Sequence, residues 1–217
     1  MNFSNISARR PLKSRATNWA QKLAKILLKT GLTPNTISMG SLVFACFGAI
    51  AIYGTKYGIH EVWLWLGAAI LIQMRLLCNL MDGMLAVEGG LGTADGDIYN
   101  EMPDRLADLV LLIAAGYASC HPYGNSLGWL SGCGAVMTAY IRMHGASLTG
   151  SHDFRGPLAK PQRMAILTGL CLLMPLAINI GWSTILHLAV LVTLAIGIWL
   201  TVFLRLIYLS KTLRQET

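Results

Sequence analysis

The 217-residue chain has the composition of a membrane protein. Hydrophobic residues make up 54% of it and charged residues only 12%, and its formal net charge is +7. Soluble proteins carry roughly 25% charged residues, so this chain has too little charge to cover a water-facing surface. The composition therefore excludes an ordinary soluble domain. It also favours membrane topology and anionic lipid headgroups, rather than nucleic acid, as the reason for the positive charge.

Residues 15–31 predict an amphipathic helix that lies on the bilayer surface. The apolar positions at helical spacing are Trp19, Leu23, Ile26 and Leu27, and the same segment carries three lysines at positions 22, 25 and 29. Gly31 predicts the end of this helix. Thr33 followed by Pro34 predicts the N-cap and the first turn of the next helix, where the chain enters the membrane.

Six apolar stretches follow, and each approaches the roughly 20 residues that a helix needs to cross a bilayer. They are residues 37–53, 62–87, 98–117, 127–143, 164–180 and 182–208. Lysine and arginine concentrate at both ends of the chain and in residues 142–163, whereas the loops on the other side contain only Lys56. By the positive-inside rule, both termini and the loops after the second and fourth spans are cytoplasmic. We therefore expect an all-α integral membrane protein with one domain, residues 1–217, whose six-helix bundle covers residues 37–208.

Seven of the ten acidic residues lie within positions 82–108, around the end of the second span and the start of the third. Helical spacing places the polar residues of each span on one face, and two antiparallel helices joined by a short loop can bring these faces together. The second span contributes Arg75, Asn79 and Asp82, and the third contributes Asn100, Asp104 and Asp108. These residues predict a polar site just inside the membrane interface.

The charge of this segment points to a metal ion. Residues 82–108 contain seven acidic side chains and only one basic side chain, Arg105, for a net charge of −6. A carboxylate at membrane depth costs about 2.5–3.5 kcal/mol on insertion scales, so several of them need compensating charge. Mg2+ binds oxygen ligands and shares its coordination shell with substrate phosphates. The segment from Arg75 to Asp108 has no histidine and only Cys78 as a thiol, which disfavours zinc.

Simpler interpretations apply to some of these residues. Asp95 and Asp97 suit the N-terminus of a helix, and Glu88 suits a solvated loop. Three small residues lie on the same two helices: Gly83, Ala86 and Gly96. They either allow close helix packing or leave room for a nucleotide to approach the backbone, and spacing alone does not separate these interpretations.

The segment 79–104 resembles the signature of the CDP-alcohol phosphatidyltransferases, D-x-x-D-G-x-x-A-R, eight residues, then G-x-x-x-D-x-x-x-D. The positions that match are Asp82, Gly83, Ala86, Gly96 and Asp104. Asn79 and Asn100 stand where the family has aspartates, and Val87 stands where it has an arginine. Residues 33–35 and 140–163 also look like the corresponding parts of the family. The resemblance therefore spans nearly the whole chain.

The resemblance implies a homodimeric enzyme of the bacterial inner membrane with a cytoplasm-facing site. It implies transfer of a phosphatidyl-type group from a CDP-activated lipid, of the CDP-diacylglycerol class, to an alcohol, with release of CMP. Asp104 would act as the general base on the alcohol, and the cofactor would be Mg2+ or Mn2+. The implied metal ligands are Asn79, Asp82, Asn100 and Asp104. The implied substrate contacts are Gly83, Ala86, Gly96, Arg142, Lys160 and Arg163.

The departures from the signature leave alternatives open. The asparagines remove two negative charges, which Glu101 or Asp108 could restore. A non-catalytic relative that binds a CDP-lipid or acts as a scaffold also fits the departures. A cation-coupled transporter fits the polar residues within the spans, although the two halves of the chain show no matching interruption. The basic residues of positions 142–163 also suit positive-inside topology alone, and the alcohol acceptor is not identified.

Overall fold

The computed structural model describes residue 15 and residues 17–215, and these residues are all-α. The helices are α1 (Asn18–Lys29), α2 (Pro34–Gly54), α3 (Glu61–Val87), α4 (Gly96–Ala118), α5 (Gly124–Thr149), α6 (Lys160–Asn179) and α7 (Ser183–Gln215). A single 3-10 turn, Thr55–Tyr57, follows α2, and the described residues include no β-strand. The prediction of one short helix ahead of six longer ones is confirmed. Ala16 and the basic residues before position 15, which the helix and topology predictions use, lie outside the described residues.

Four helical segments are long and apolar enough to cross a membrane. They are Pro34–Tyr57, Glu61–Val87, Lys160–Asn179 and Ser183–Gln215. They make the chain an integral membrane protein. At 23 and 26 residues, α4 and α5 have sufficient length. They are less apolar, because α4 carries much of the acidic segment and α5 is rich in glycine. The count of six spans therefore stays a prediction.

The six long helices form a closed ring. Around the ring their order is α2, α4, α5, α7, α6 and α3, and α3 packs against α2 again. α2 packs along both α3 and α4, whereas α3 and α4 hardly touch each other. The polar side chains of α3 and α4 nevertheless meet, as their spacing predicts. The two helices face each other across the ring with α2 beside both of them, so other helices contribute to the site.

Glycine allows α4 and α5 to approach closely. A Cβ atom added at Gly116 would lie 2.6 Å from the carbonyl oxygen of Gly124 and 2.7 Å from the Cα of Gly128. Such small-residue contacts are a common basis of helix packing in membranes. The backbone of α4, with its polar N-terminal half, is therefore held against α5 without large side chains between the two helices.

The N-terminal helix has the amphipathic character that its sequence predicts. Ala20 and Ala24 are buried in a cluster with apolar residues of α3, while Trp19 and Ile26 are 53% and 58% exposed. Its exposed apolar side chains suit the bilayer interface.

The turn into α2 follows the predicted caps. Gly31 has a left-handed φ of 75°, a conformation that glycine adopts without a steric penalty. The hydroxyl of Thr33 accepts a hydrogen bond from the backbone N–H of Thr36 at 3.2 Å, and Pro34 is the first residue of α2. The predicted end of α1 and start of α2 are therefore confirmed.

The loop between α5 and α6 is tied to α7. The backbone N–H of Leu158 donates to the hydroxyl of Thr201 at 3.0 Å. Arg205 donates through Nε to the carbonyl oxygen of Arg155 at 2.8 Å and through Nη1 to that of Thr138 on α5 at 2.7 Å. These hydrogen bonds fix the position from which α6 begins.

Candidate active site

An acid–base cluster lies at one end of the ring, where α3 and α5 end and α2, α4 and α6 begin. Its acidic members are Asp82, Glu101, Asp104 and Asp108, and its basic members are Arg75, Arg105, Arg142, Lys160 and Arg163. The helices α3 and α4, which correspond to the second and third predicted spans, supply all the acids. The bases come from four helices.

Asp104 occupies the centre of the acid–base cluster and is 7% exposed. Its Oδ1 accepts hydrogen bonds from Nδ2 of Asn79 at 2.7 Å and from Nη2 of Arg75 at 3.2 Å, both on α3. Its Oδ2 is paired with the ammonium group of Lys160, the first residue of α6. The sequence placed Asn79 and Asp104 on facing surfaces, and the structure brings them together. It also adds Lys160 to the same carboxylate.

Asp108, one turn further along α4, forms a buried triad with two arginines. Arg75 Nη2 lies 2.6 Å from its Oδ1, and Arg163 Nε donates to its Oδ2 at 2.8 Å. Arg163 also donates through Nη1 to the hydroxyl of Thr138 on α5 at 3.1 Å. The three charged side chains are at most 2% exposed. Buried charges persist only when they are paired and hydrogen-bonded, so the triad connects α3, α4 and α6.

Asp82 is held by α2, a contact that sequence reasoning missed. Its carboxylate accepts a hydrogen bond from the hydroxyl of Ser38 at 2.5 Å and another from the backbone N–H of Gly83. Both Ser38 and Asp82 are 4% exposed. The sequence signal that could have indicated this contact is Ser38 itself, a polar residue within the apolar span that follows Pro34.

Glu101 is paired with arginines at the edge of the cluster. Arg142 on α5 lies 2.7 Å from one carboxylate oxygen, and Arg105 contacts the other from one turn along α4. The Arg142 guanidinium also lies 5.7 Å from the Phe154 ring centroid, a cation–π distance. Glu101 and Asp108 both direct their oxygens at arginines. The hypothesis that either replaces a missing aspartate as a metal ligand therefore gains no support from the geometry.

The remaining signature positions lie at the same end of α3 and α4. Gly83 and Ala86 are half-buried on α3, and Val87 and Asn100 are exposed. A Cβ atom added at Gly96, the first residue of α4, would approach nothing nearer than the Thr93 hydroxyl at 3.4 Å. Close packing therefore does not require glycine at position 96. Of the two interpretations given for this glycine, the one that remains is that it leaves space for a ligand.

The three acids given simpler interpretations occupy the ends of helices. Glu88 is the exposed C-cap residue of α3, and Asp97 lies in the first turn of α4. Asp95 takes the N-cap position of α4, but its side chain makes no capping hydrogen bond. Their positions suit helix ends better than the acid–base cluster.

The curated proteins that resemble the chain in sequence include two lipid synthases, whereas no protein-family profile matches it. A phosphatidylinositol phosphate synthase of Mycolicibacterium smegmatis is 32% identical over 89 residues, which cover 41% of this chain and only 37% of that protein. An archaetidylinositol phosphate synthase of Aeropyrum pernix is 26% identical over 199 residues, which cover 90% of this chain and 92% of that protein. Phosphatidylinositol phosphate synthases are CDP-alcohol phosphatidyltransferases. The chain is therefore similar in sequence to CDP-alcohol phosphatidyltransferases.

Crystal structures of the Mycobacterium tuberculosis phosphatidylinositol phosphate synthase share the fold. The complex with manganese and citrate has a TM-score of 0.67 at 19% identity, over 88% of each chain. The structure with CDP-DAG bound has a TM-score of 0.61 at 18% identity, over 85% of this chain and 94% of that one. The fold of the M. tuberculosis synthase therefore extends over most of this chain.

The acid–base cluster contains more positive than negative charge. Four carboxylates lie among five cationic side chains. The sequence-based argument that the acidic segment lacks compensation was wrong for the folded protein, because Arg142, Lys160 and Arg163 reach it from α5 and α6. The carboxylates of this site therefore do not by themselves require a metal ion.

Four oxygen-bearing side chains of the signature could hold a hard divalent cation. Asp82 and Asp104 supply carboxylates, and Asn79 and Asn100 supply amide carbonyl oxygens. Mg2+ is usually held by one or two carboxylates together with waters and substrate phosphates. Across residues 15 and 17–215, no three His, Cys, Asp or Glu side chains converge as metal ligands. The ammonium group of Lys160 already engages Asp104.

Proposed function

We propose that this protein is a CDP-alcohol phosphatidyltransferase, which transfers a phosphatidyl-type group from a CDP-activated lipid to an alcohol in phospholipid biosynthesis, with release of CMP. The observation that carries the proposal is the position of Asp104. This last carboxylate of the signature is held by Asn79, Arg75 and Lys160 at the point where three helices meet. The M. tuberculosis synthase with CDP-DAG bound supports a donor of the CDP-diacylglycerol class.

The reaction is a displacement at phosphorus. The alcohol oxygen forms a bond to the phosphorus next to the lipid, the bond from this phosphorus to the CMP oxygen breaks, and CMP leaves with the bonding electron pair. Asp104 accepts the proton of the alcohol hydroxyl. Positioning and charge neutralisation supply most of the catalysis in phosphoryl transfer, and nearby cations are most effective where water is excluded.

Lys160 and Arg142 are the cations that we assign to the phosphates. Their side chains are 26% and 22% exposed, so a ligand can reach them. Arg163 is 2% exposed and held by Asp108 and Thr138, so it would act on the substrate only through Asp108.

The small residues of the signature would accommodate the cytidine diphosphate part of the donor. Gly83 and Ala86 on α3 and Gly96 at the start of α4 leave the backbone accessible near the acid–base cluster. The space beside Gly96 supports this assignment, because packing alone does not demand glycine there.

A divalent cation, Mg2+ or Mn2+, would be held by Asp82 and Asp104 with the carbonyl oxygens of Asn79 and Asn100, and when bound it would neutralise charge on the diphosphate. The M. tuberculosis synthase complex with manganese supports a divalent cation. Asp82 is positioned for this role by its hydrogen bond from Ser38.

We place the enzyme in a bacterial inner membrane, as a homodimer, with both termini and the acid–base cluster on the cytoplasmic side. The distribution of lysine and arginine along the chain supports this orientation. The resemblance to the family supports the homodimer.

The test is CMP release from CDP-diacylglycerol by the purified full-length protein with Mg2+ or Mn2+ and a panel of alcohols. The panel begins with inositol phosphate, because two relatives are named for inositol phosphate lipids. It continues with glycerol phosphate, serine, ethanolamine and a lipid alcohol. Release of CMP with at least one alcohol is expected.

Asp104→Asn should lower the rate of CMP release by about 100-fold or more, because general-base catalysis typically contributes that much. Glu61→Gln, at the opposite end of α3, is the matched control and should leave the rate unchanged. An Asp104→Asn protein with the wild-type rate would refute the assignment of the base.

A non-catalytic CDP-lipid-binding relative is the second candidate. Asn79, Asn100 and Val87 favour it, because each departs from the family signature. Binding of CDP-diacylglycerol without CMP release from any alcohol would establish this second function. If the protein neither binds CDP-diacylglycerol nor releases CMP, the remaining hypothesis is the cation-coupled transporter.

A further inference from the structure

The charge of the acid–base cluster depends on the two asparagines of the signature. With Asn79 and Asn100, the cluster has four carboxylates among five cationic side chains. Aspartates at both positions would raise the number of carboxylates to six and would make the net charge negative. The asparagines therefore change the sign of the net charge, and they weaken the attraction of the site for additional cations.

The fold holds Lys160 close to Asp104. Lys160 begins α6, and Pro161 follows it in the first turn, where its ring fixes the backbone φ angle. Two residues earlier, Leu158 is hydrogen-bonded to Thr201 of α7. The N-terminus of a helix favours negative charge, so a lysine there needs a carboxylate partner. Asp104 provides this carboxylate from across the ring.

We propose that Lys160 takes the place of a second metal ion at Asp104, so that the site binds a single divalent cation. The inference rests on the proposed function, because the phosphates of the donor are the anions that the ammonium group would neutralise. An ammonium group has three N–H donors, which is enough to contact the Asp104 carboxylate and a phosphate oxygen together. Arg75 stabilises the other oxygen of Asp104 from α3, at 3.2 Å.

Mn2+ binding to the purified full-length protein in detergent tests the proposal without turnover. Electron paramagnetic resonance of free Mn2+ during a titration reports both the number of bound ions and their affinity. The wild-type protein should bind one Mn2+ per chain. Lys160→Met removes the charge but keeps an unbranched side chain, and it should bind a second Mn2+ or hold the first about tenfold more tightly.

Two control variants separate charge from side-chain shape and position. Lys160→Arg keeps the positive charge and should match the wild-type protein in the number of bound Mn2+ ions. Lys211→Met removes an exposed lysine near the end of α7 and should also match it. Lys160→Gln provides the same test with a polar neutral side chain if Lys160→Met does not fold.

Restored carboxylates provide an independent test. The variant Asn79→Asp/Asn100→Asp/Lys160→Met should bind two Mn2+ ions per chain. Two ions bound with similar affinity by the wild-type protein would overturn the proposal. Unchanged Mn2+ number and affinity in the neutral variants at position 160 would also overturn it.

The proposed function fails separately from this inference. Failure of the function appears as absence of CMP release with every alcohol, whereas the number of bound Mn2+ ions is measured with no lipid present. One ion bound by the wild-type protein, with additional or tighter Mn2+ binding by Lys160→Met but no CMP release, would retain the inference about Lys160 and refute the function. Two Mn2+ ions bound by the wild-type protein, together with CMP release, would refute the inference about Lys160 and retain the function.

Discussion

Asp104 and Asp108 lie one helical turn apart on α4, yet their environments suit different roles. Asp104 is paired with Lys160, whose side chain is 26% exposed, so a substrate can approach this pair. Asp108 is 1% exposed and is held between Arg75 and Arg163, which are buried as well. One carboxylate is therefore available for chemistry, and the other connects helices.

Asp108→Asn should destabilise the protein by about 3–5 kcal/mol, because it leaves two buried arginines without their shared charge. The measurement is thermal unfolding in detergent. Asp104→Asn should destabilise the protein less than Asp108→Asn does, since Lys160 is partly exposed and water can hydrate its ammonium group. Asp153→Asn is the control, because its pairing with Arg155 is long, at 3.7 Å, and that partner is 59% exposed. An Asp108→Asn protein as stable as this control would contradict a structural role for the triad.

At the scale of helices, the approach of α4 to α5 determines where the acid–base cluster forms. The backbones meet at Gly116 on α4 and at Gly124 and Gly128 on α5. The same two helices carry Glu101 and Arg142, which pair at 2.7 Å nearer the cluster. A larger side chain at the glycine contact would move α5 away from α4. The Glu101–Arg142 ion pair therefore depends on the close packing of these two helices.

Gly116→Ala should destabilise the protein by about 1–3 kcal/mol, the usual cost of overpacking a filled interior. The added methyl group would lie 2.6 Å from a backbone oxygen that cannot move away independently of α5. Gly169→Ala on α6 is the matched control, because the added methyl group would have no atom within 4 Å apart from the neighbouring residues and backbone of its own helix. The control should be as stable as wild type or slightly more so, since alanine favours helix more than glycine does. Equal unfolding temperatures for the two variants would argue against a close α4–α5 contact.

At the scale of the whole molecule, closure of the ring brings distant segments to one end. α6 and α3 complete the ring that α2, α4, α5 and α7 begin. The loop before α6 is anchored to α7 through Thr201 and Arg205. The site therefore requires the full set of long helices, and a fragment lacking α6 would lack Lys160 and Arg163.

The predicted count of six spans can be tested with the native Cys120, which is exposed in the loop between α4 and α5. With the other four cysteines replaced, a membrane-impermeant maleimide should label Cys120 in intact bacterial cells. A cysteine-free protein carrying Glu88→Cys, exposed just after α3, should be labelled only in permeabilised cells. Labelling of both positions from the same side would show that α4 does not cross the membrane.

Local sequence signals were sufficient for the helices and for part of the site. The N-cap at Thr33 and the glycine at position 31 correctly predict the turn between α1 and α2, because capping depends on neighbouring residues. Helical spacing correctly predicts that Asn79 and Asp104 face each other, as their 2.7 Å hydrogen bond shows. The same spacing does not predict that Ser38 binds Asp82, because nothing local relates two residues 44 positions apart.

The sequence by itself determined the membrane as solvent, the order of the helices and the register of the signature, because hydropathy, caps and spacing act over a few turns of the chain. The tertiary structure decided which charges meet. Lys160 reaches Asp104 from 56 positions away, and Arg163 reaches Asp108 from 55. These pairs exist only because the ring places α6 beside α3 and across from α4. Low dielectric in a buried site makes such pairing decisive for the local charge, so a segment that is acidic in the sequence becomes a cluster with excess positive charge in the fold.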